Sequence, residues 1–176
     1  MRIKSLYLAL AASGLCASLS GGAQTPPSAN PLDVVPDAMA FDIPYGTPIS
    51  LERAEIAIAA AVAEAKKHNW KLNVAVVDSG ANLVAFQRMD GAQLASIMIA
   101  QHKARAAASF RRETRVYEDA VQVKGNSYVL GIDGVITARG GIPLIQDGKL
   151  VGAIGCSGGA GSQDEVACKA GVATIK

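Results

Sequence analysis

The strongest constraint on the fold is a two-residue turn. Asp147-Gly148 stands between two apolar runs, residues 142–146 and 150–156. Asp-Gly at such a junction accepts the positive φ angles of a tight hairpin, so the two runs pair antiparallel. A second hairpin comes earlier, where residues 73–77 and 83–89 flank the turn formers Asp78-Ser79-Gly80-Ala81-Asn82. Residues 135–138 read as one more strand, which makes five. Hairpins argue for an antiparallel sheet and against a doubly wound parallel one.

Helical spacing begins after Ser50, a good N-cap residue. Leu51, Ala54, Ile58, Ala61, Val62 and Ala65 recur at steps of three and four, and Lys66, Lys67 and His68 suit the negative end of a helix dipole. His68 is either a metal ligand or part of a solvated helix end. Asp90, with Gln93 three residues on, reads as the cap of a second helix over 94–111. That helix is apolar around much of its circumference, so one side meets the sheet and another meets a subunit or a ligand. A helical turn near 117–121 leads to a loop over 125–134, and a last helix spans 162–174, capped by Ser162 or Gln163. The expected fold is α+β: a five-stranded antiparallel sheet flanked by helices in α/β/α layers.

The ends of the chain carry other information. Arg2 and Lys4 precede an apolar stretch over residues 6–19, and small residues lead to Gly21-Gly22-Ala23. This is the pattern of an export signal over 1–23, cleaved before Gln24. Six of the seven prolines lie between Pro26 and Pro48, so residues 24–48 read as an extended arm that becomes ordered near Phe41, Ile43 and Tyr45. The domain proper is 49–176. Removing the signal leaves 15 basic against 15 acidic side chains. That balance excludes a nucleic-acid binder, which needs a basic surface. The mature chain has no stretch suited to span a membrane. It is expected to be periplasmic or secreted. Cys156 and Cys168 are then its two cysteines. Twelve residues of separation permit a disulfide and equally permit two buried thiols.

Several motifs bear on chemistry. The loop Gly155-Cys156-Ser157-Gly158-Gly159-Ala160-Gly161 links a strand to a helix but lacks the Gly-Lys-Ser/Thr ending of a P-loop and the spacing of a dinucleotide fingerprint. Its amides at a helix start remain a candidate anion site. Ser157 as a nucleophile would need a histidine base with an orienting acid, and neither His68 nor His102 has an evident one. The carboxylates Asp78, Asp90, Glu113, Asp133 and Asp164 all have turn or cap explanations. Arg105, Arg111, Arg112 and Arg115 cluster as either a solvated helix end or a carboxylate-binding group.

These motifs, taken in order, resemble the GlcG/HbpS-like haem-binding (haem-degrading domain) family. The resemblance rests on Val74-Ala75-Val76-Val77-Asp78 with Gly80, Arg88-Met89-Asp90-Gly91-Ala92, Lys103-Ala104-Arg105 followed by Phe110 and Thr114, Gly140-Gly141-Ile142-Pro143, and Val151-Gly152-Ala153-Ile154-Gly155-Cys156-Ser157-Gly158. It covers the chain from about Ile49 onward. It implies a profilin-like architecture, homo-oligomers and haem as cofactor, with haem sensing, sequestration or degradation as the setting and a membrane sensor as a candidate partner. Thr114 falls at a Phe-x-x-x-Thr position linked to haem contact, and Phe110, Lys103, Arg111 and Arg88 join it as candidate binding residues. His102 is added on chemical grounds, because neutral imidazole suits iron; Met89, Tyr117 and Tyr128 are further candidate ligands. Two other readings stay open: an enzyme or accessory protein acting on a small carboxylic acid through the Gly-rich loop, and a sensor-interacting module without a ligand of its own.

Overall fold

The computed structural model describes residues 33–39 and 41–176. The expected signal segment and the first part of the proline-rich arm lie outside the described residues. The elements from residue 51 onward run α1 (Leu51–Lys67), β1 (Asn73–Asp78), β2 (Leu83–Arg88), α2 (Ala95–Phe110), α3 (Arg115–Gln122), a short 3-10 helix (Ser127–Gly131), β3 (Gly141–Gln146), β4 (Lys149–Ser157) and α4 (Gly161–Val172). The four strands form one sheet in the order β2-β1-β4-β3, and all neighbours are antiparallel. Both expected hairpins are present.

Among the described residues the sheet has four strands rather than the expected five, and residues 135–138 are the difference. The stretch begins in a local turn and ends at a side-chain contact instead of joining a ladder. Val135 N–H donates to the Ile132 carbonyl, and Arg139 N–H donates to the Glu118 carboxylate at 2.7 Å. The start of α2 also differs from expectation. Gly91 takes a φ of 79° and Ala92 N–H closes a turn on Met89 O, so the chain enters the helix only at Ala95, leaving Asp90 exposed and capping nothing.

Each face of the sheet carries its own packing chemistry. Val74, Val76, Ile142, Leu144, Ile154 and Cys156 meet α1 and α4. α1 begins as expected, with Ser50 Oγ accepting from Arg53 N–H, and α4 is tied to β4 by a disulfide between Cys156 and Cys168, whose Cα atoms are 5.7 Å apart. A bridge closing a loop of this size contributes about 3 kcal/mol in the chain-entropy picture.

The opposite face is built from small residues. Ala75, Val77 and Ala153 lie under Ala100, Ala104, Ala107 and Ala108 of α2. The backbone of α2 rests directly on the sheet: a Cβ at Gly155 would overlap the Ala100 carbonyl oxygen, and one at Gly141 would overlap the Lys103 carbonyl oxygen. The alanine- and glycine-rich composition therefore has a positional meaning. It lets a helix lie flat on a sheet. Among the described residues, no helix is long and apolar enough to cross a membrane.

The end of the proline-rich arm is ordered against this domain. Tyr45 bridges to Leu150, its hydroxyl donates to the Ser109 carbonyl at 2.9 Å, and Gly46 N–H donates to Leu150 O. Gly155→Ala tests the flat contact. The added methyl meets helix backbone, which cannot move aside, so a loss of about 3 kcal/mol in urea unfolding is expected. A change within about 0.5 kcal/mol would mean that α2 does not sit on the sheet in this way.

Candidate functional site

The second long helix ends in a tight reversal that organises one corner of the molecule. Arg111 adopts a left-handed conformation (φ 53°) and stops α2. Its guanidinium donates to Ile43 O at 2.9 Å and lies over the Tyr45 ring. Three residues on, Thr114 is fully buried. Thr114 N–H donates to Gly141 O, and Gly141 N–H donates to Thr114 Oγ1, each at 3.0 Å. This two-bond clip fixes the start of α3 to the edge of β3.

α3, the end of α2 and the 3-10 helix enclose a cleft of about 380 Å³. Its lining includes Phe110, Tyr117, Tyr128 and Val129, with Arg112 and Lys124 as its cations. Phe110 packs edge-on against Tyr117, centroids 5.5 Å apart. The Arg112 guanidinium lies against the Phe41 and Tyr117 rings. Burial lowers the pKa of Arg112, and Tyr117 beside it partly offsets this. Burial raises the phenol of Tyr117 above the ordinary tyrosine range, with Arg112 opposing. Tyr117 is 5% exposed, and its hydroxyl has no hydrogen-bond partner. A buried polar group without a partner is costly, and marks a place where another molecule can supply one. Aromatic walls with cations among them suit a flat, apolar ligand that carries carboxylates.

The residues expected from sequence are dispersed. Phe110 lines the cleft. Thr114 lies beneath it, its hydroxyl engaged by Gly141. His102 is exposed on α2 with Nε2 3.3 Å from Gly134 O, and Gly134 packs beside the Phe110 ring. Arg111 holds the arm. Arg88 is exposed at the far edge of the sheet, in a groove with Lys66, Lys71 and Met89. Lys103 is 2% exposed; Nζ is 2.7 Å from Asp164 Oδ2 and donates to Cys156 O at 3.1 Å. Burial raises the Asp164 carboxyl above its usual range, against the opposing pull of Lys103. His68 ends α1 in the solvent, stacked on Trp70 and 3.2 Å from Glu64.

Two amides of the Gly-rich loop are already engaged by side chains. Gly159 N–H donates to Asp164 Oδ1 at 3.0 Å, and Ala160 N–H donates to Gln163 Oε1 at 2.8 Å. The Asp164 carboxylate and the Gln163 amide oxygen thus stand where an anion would meet these two amides. Arg115 belongs to a separate surface network. There Arg139 meets Glu118 at 2.5 Å and Glu165 at 3.5 Å, while Lys169 and Arg115 also meet Glu165.

The sequence alone marks Arg112 only as one arginine among four, gives Tyr117 no hydrogen-bonding role, and leaves Asp164 with a turn or cap explanation. One signal was available for Asp164. Lys103 falls on the same stripe as Ala100, Ala104 and Ala107, which faces the sheet, and a buried lysine requires a partner.

Fold and cleft together define an antiparallel α+β domain with an aromatic, cation-edged cleft. The model of the family described as haem degrading protein HbpS-like matches residues 49–173, and the chain belongs to that family. Protein GlcG of Escherichia coli K12 is 39% identical over 109 residues, covering 62% of this chain and 81% of GlcG. The crystal structure of a PduOC:heme complex matches with a TM-score of 0.66 and 30% identity, covering 74% of this chain and 96% of that one. A double mutant of HbpS from Streptomyces reticuli matches at 0.68 and 31%, covering 81% and 98%.

The Glu118–Glu165 network gives stability a defined pH dependence. Burial, the largest single influence, pushes both carboxyls up, but hydrogen bonds and charge attraction together, from Arg139 for Glu118 and from Lys169, Arg115 and Arg139 for Glu165, outweigh it and hold both below their ordinary values. Their contribution is therefore present above the unfolded value of about 4.3 and is lost as pH falls through the depressed folded values. Asp164, raised on folding, has the opposite sign: its contribution is largest below its unfolded value and declines as pH rises. In urea unfolding, Arg139→Gln should be less stable than the parent at neutral pH, and the gap should close in acid as the carboxylates protonate. A gap that stays constant would remove these pairs from the pH response.

Proposed function

We propose that the chain is an exported, homo-oligomeric haem-binding protein whose site is the cleft between Phe110, α3 and the 3-10 helix. The observation that carries this reading is that cleft's aromatic walls and paired cations, in a chain that aligns with 96% of the PduOC domain in its heme complex. Phe110, Tyr128 and Val129 offer apolar surface to a porphyrin face, and Arg112 and Lys124 offer charge to its propionates. Bound haem would supply an iron that takes axial ligands and exchanges electrons. His102, beside Gly134 at the margin of Phe110, is the imidazole nearest this role; Thr114 acts through its clip on Gly141, holding α3 in place.

Export is supported by the amino-terminal pattern and by the Cys156–Cys168 bridge, which suits an oxidising compartment. Self-association is supported by exposed Leu94, just before α2, and by exposed Met98 and Ile99 on its first turns. Haem sensing, sequestration or degradation is the setting, with a membrane sensor as candidate partner.

Haemin titration followed in the Soret region tests the site. The parent should give a saturable band. Phe110→Ala should weaken binding about tenfold, and Arg88→Ala, on the remote sheet edge, should match the parent. A band that never saturates, or one indifferent to Phe110, would contradict the assignment.

A further inference from the structure

Among the described residues lining the cleft, one buried polar side-chain atom has no hydrogen-bond partner. Tyr117 is positioned on three sides: Phe110 packs edge-on against its ring, Arg112 lies over it, and its backbone N–H donates to Thr114 O in the first turn of α3. Its hydroxyl is nevertheless buried with no acceptor. Replacing it by phenylalanine would remove an unsatisfied group at no loss of packing, so the fold alone gives no reason for a tyrosine here.

We propose that Tyr117 is the hydrogen-bond donor that reads a carboxylate of the bound ligand, with Arg112 as the neighbouring charge. The inference rests on the haem reading of the cleft and adds which part of the ligand is recognised and by which atom. The phenol stays protonated at neutral pH, because burial disfavours its anion. It is thus a donor to a propionate oxygen rather than an anionic ligand to ferric iron. A neutral O–H beside a guanidinium gives a carboxylate two different donors, and neither depends on the iron. The cleft would then discriminate between a porphyrin with free carboxylates and the same porphyrin with those groups esterified.

The test compares haemin with haemin dimethyl ester on the parent, Tyr117→Phe and Arg112→Gln, by absorbance titration, with circular dichroism confirming that each variant is folded. The parent should prefer haemin by about tenfold, the range of one hydrogen bond to a charged group. Tyr117→Phe should bring the two ligands close to parity by weakening haemin while leaving the ester unchanged, and Arg112→Gln should reduce the preference in the same direction. A variant that merely loosens the cleft would weaken both ligands equally, which would overturn the proposal, as would a full preference retained by Tyr117→Phe. If the parent binds both ligands saturably and equally, the haem reading stands and the carboxylate role falls. If it binds neither, both fall.

Discussion

One buried ion pair ties the layers of this domain together. Lys103 comes from the sheet-facing side of α2, and Asp164 from the first turn of α4. Between them lies the end of β4, whose Cys156 carbonyl takes a further hydrogen bond from Lys103. Asp164 also accepts from Gly159 N–H and so shapes the loop before α4. Such a pair contributes little net stability, because desolvating both charges offsets most of their attraction. Its value is positional: losing either partner leaves a buried charge alone, at a cost of about 3–5 kcal/mol. The pair can form only where α2 approaches the sheet closely, and Gly141 and Gly155 permit that approach.

The candidate site follows from this arrangement. With α2 fixed on the sheet, its last turn brings Phe110 to a defined place. Arg111 then reverses the chain, and Thr114 locks the return onto Gly141. α3 starts from that lock, so Tyr117 and Arg112 reach the cleft from a rigid base. Preorganisation of this kind is what allows a few polar groups to orient a ligand whose contacts are otherwise apolar.

Much of the fold was legible in the sequence, and for local reasons. Asp147-Gly148 and the Asp78 turn announced the hairpins, Ser50 the start of α1, and the alanines of α2 a helix buried on more than one side. The misread strand at 135–138 had the right residues but pairs with neither edge of the sheet, and a propensity reading cannot see that Glu118 takes the Arg139 amide just beyond it. Asp90 was read as a cap on spacing alone, and Gly91 diverts the chain. The family was legible because its motifs recur in order along the chain. The cleft was only partly so. Phe110 was found, but Arg112, Lys124 and the hydroxyl of Tyr117 acquire meaning from α3 folding back over the end of α2. The two cysteines were undecided between bridge and thiols because the decision depends on how α4 docks against β4.

The central claim is about place: a porphyrin enters the corner between α2, α3 and the 3-10 helix. Backbone-amide NMR of the parent with a diamagnetic metalloporphyrin, gallium protoporphyrin, addresses it most directly. The largest shifts should fall on Phe110, Arg112, Tyr117, Lys124, Tyr128 and Val129, with β2 and Arg88 unmoved. Shifts concentrated instead on the exposed side of α2 around Leu94 and Met98, or spread without a centre, would contradict it.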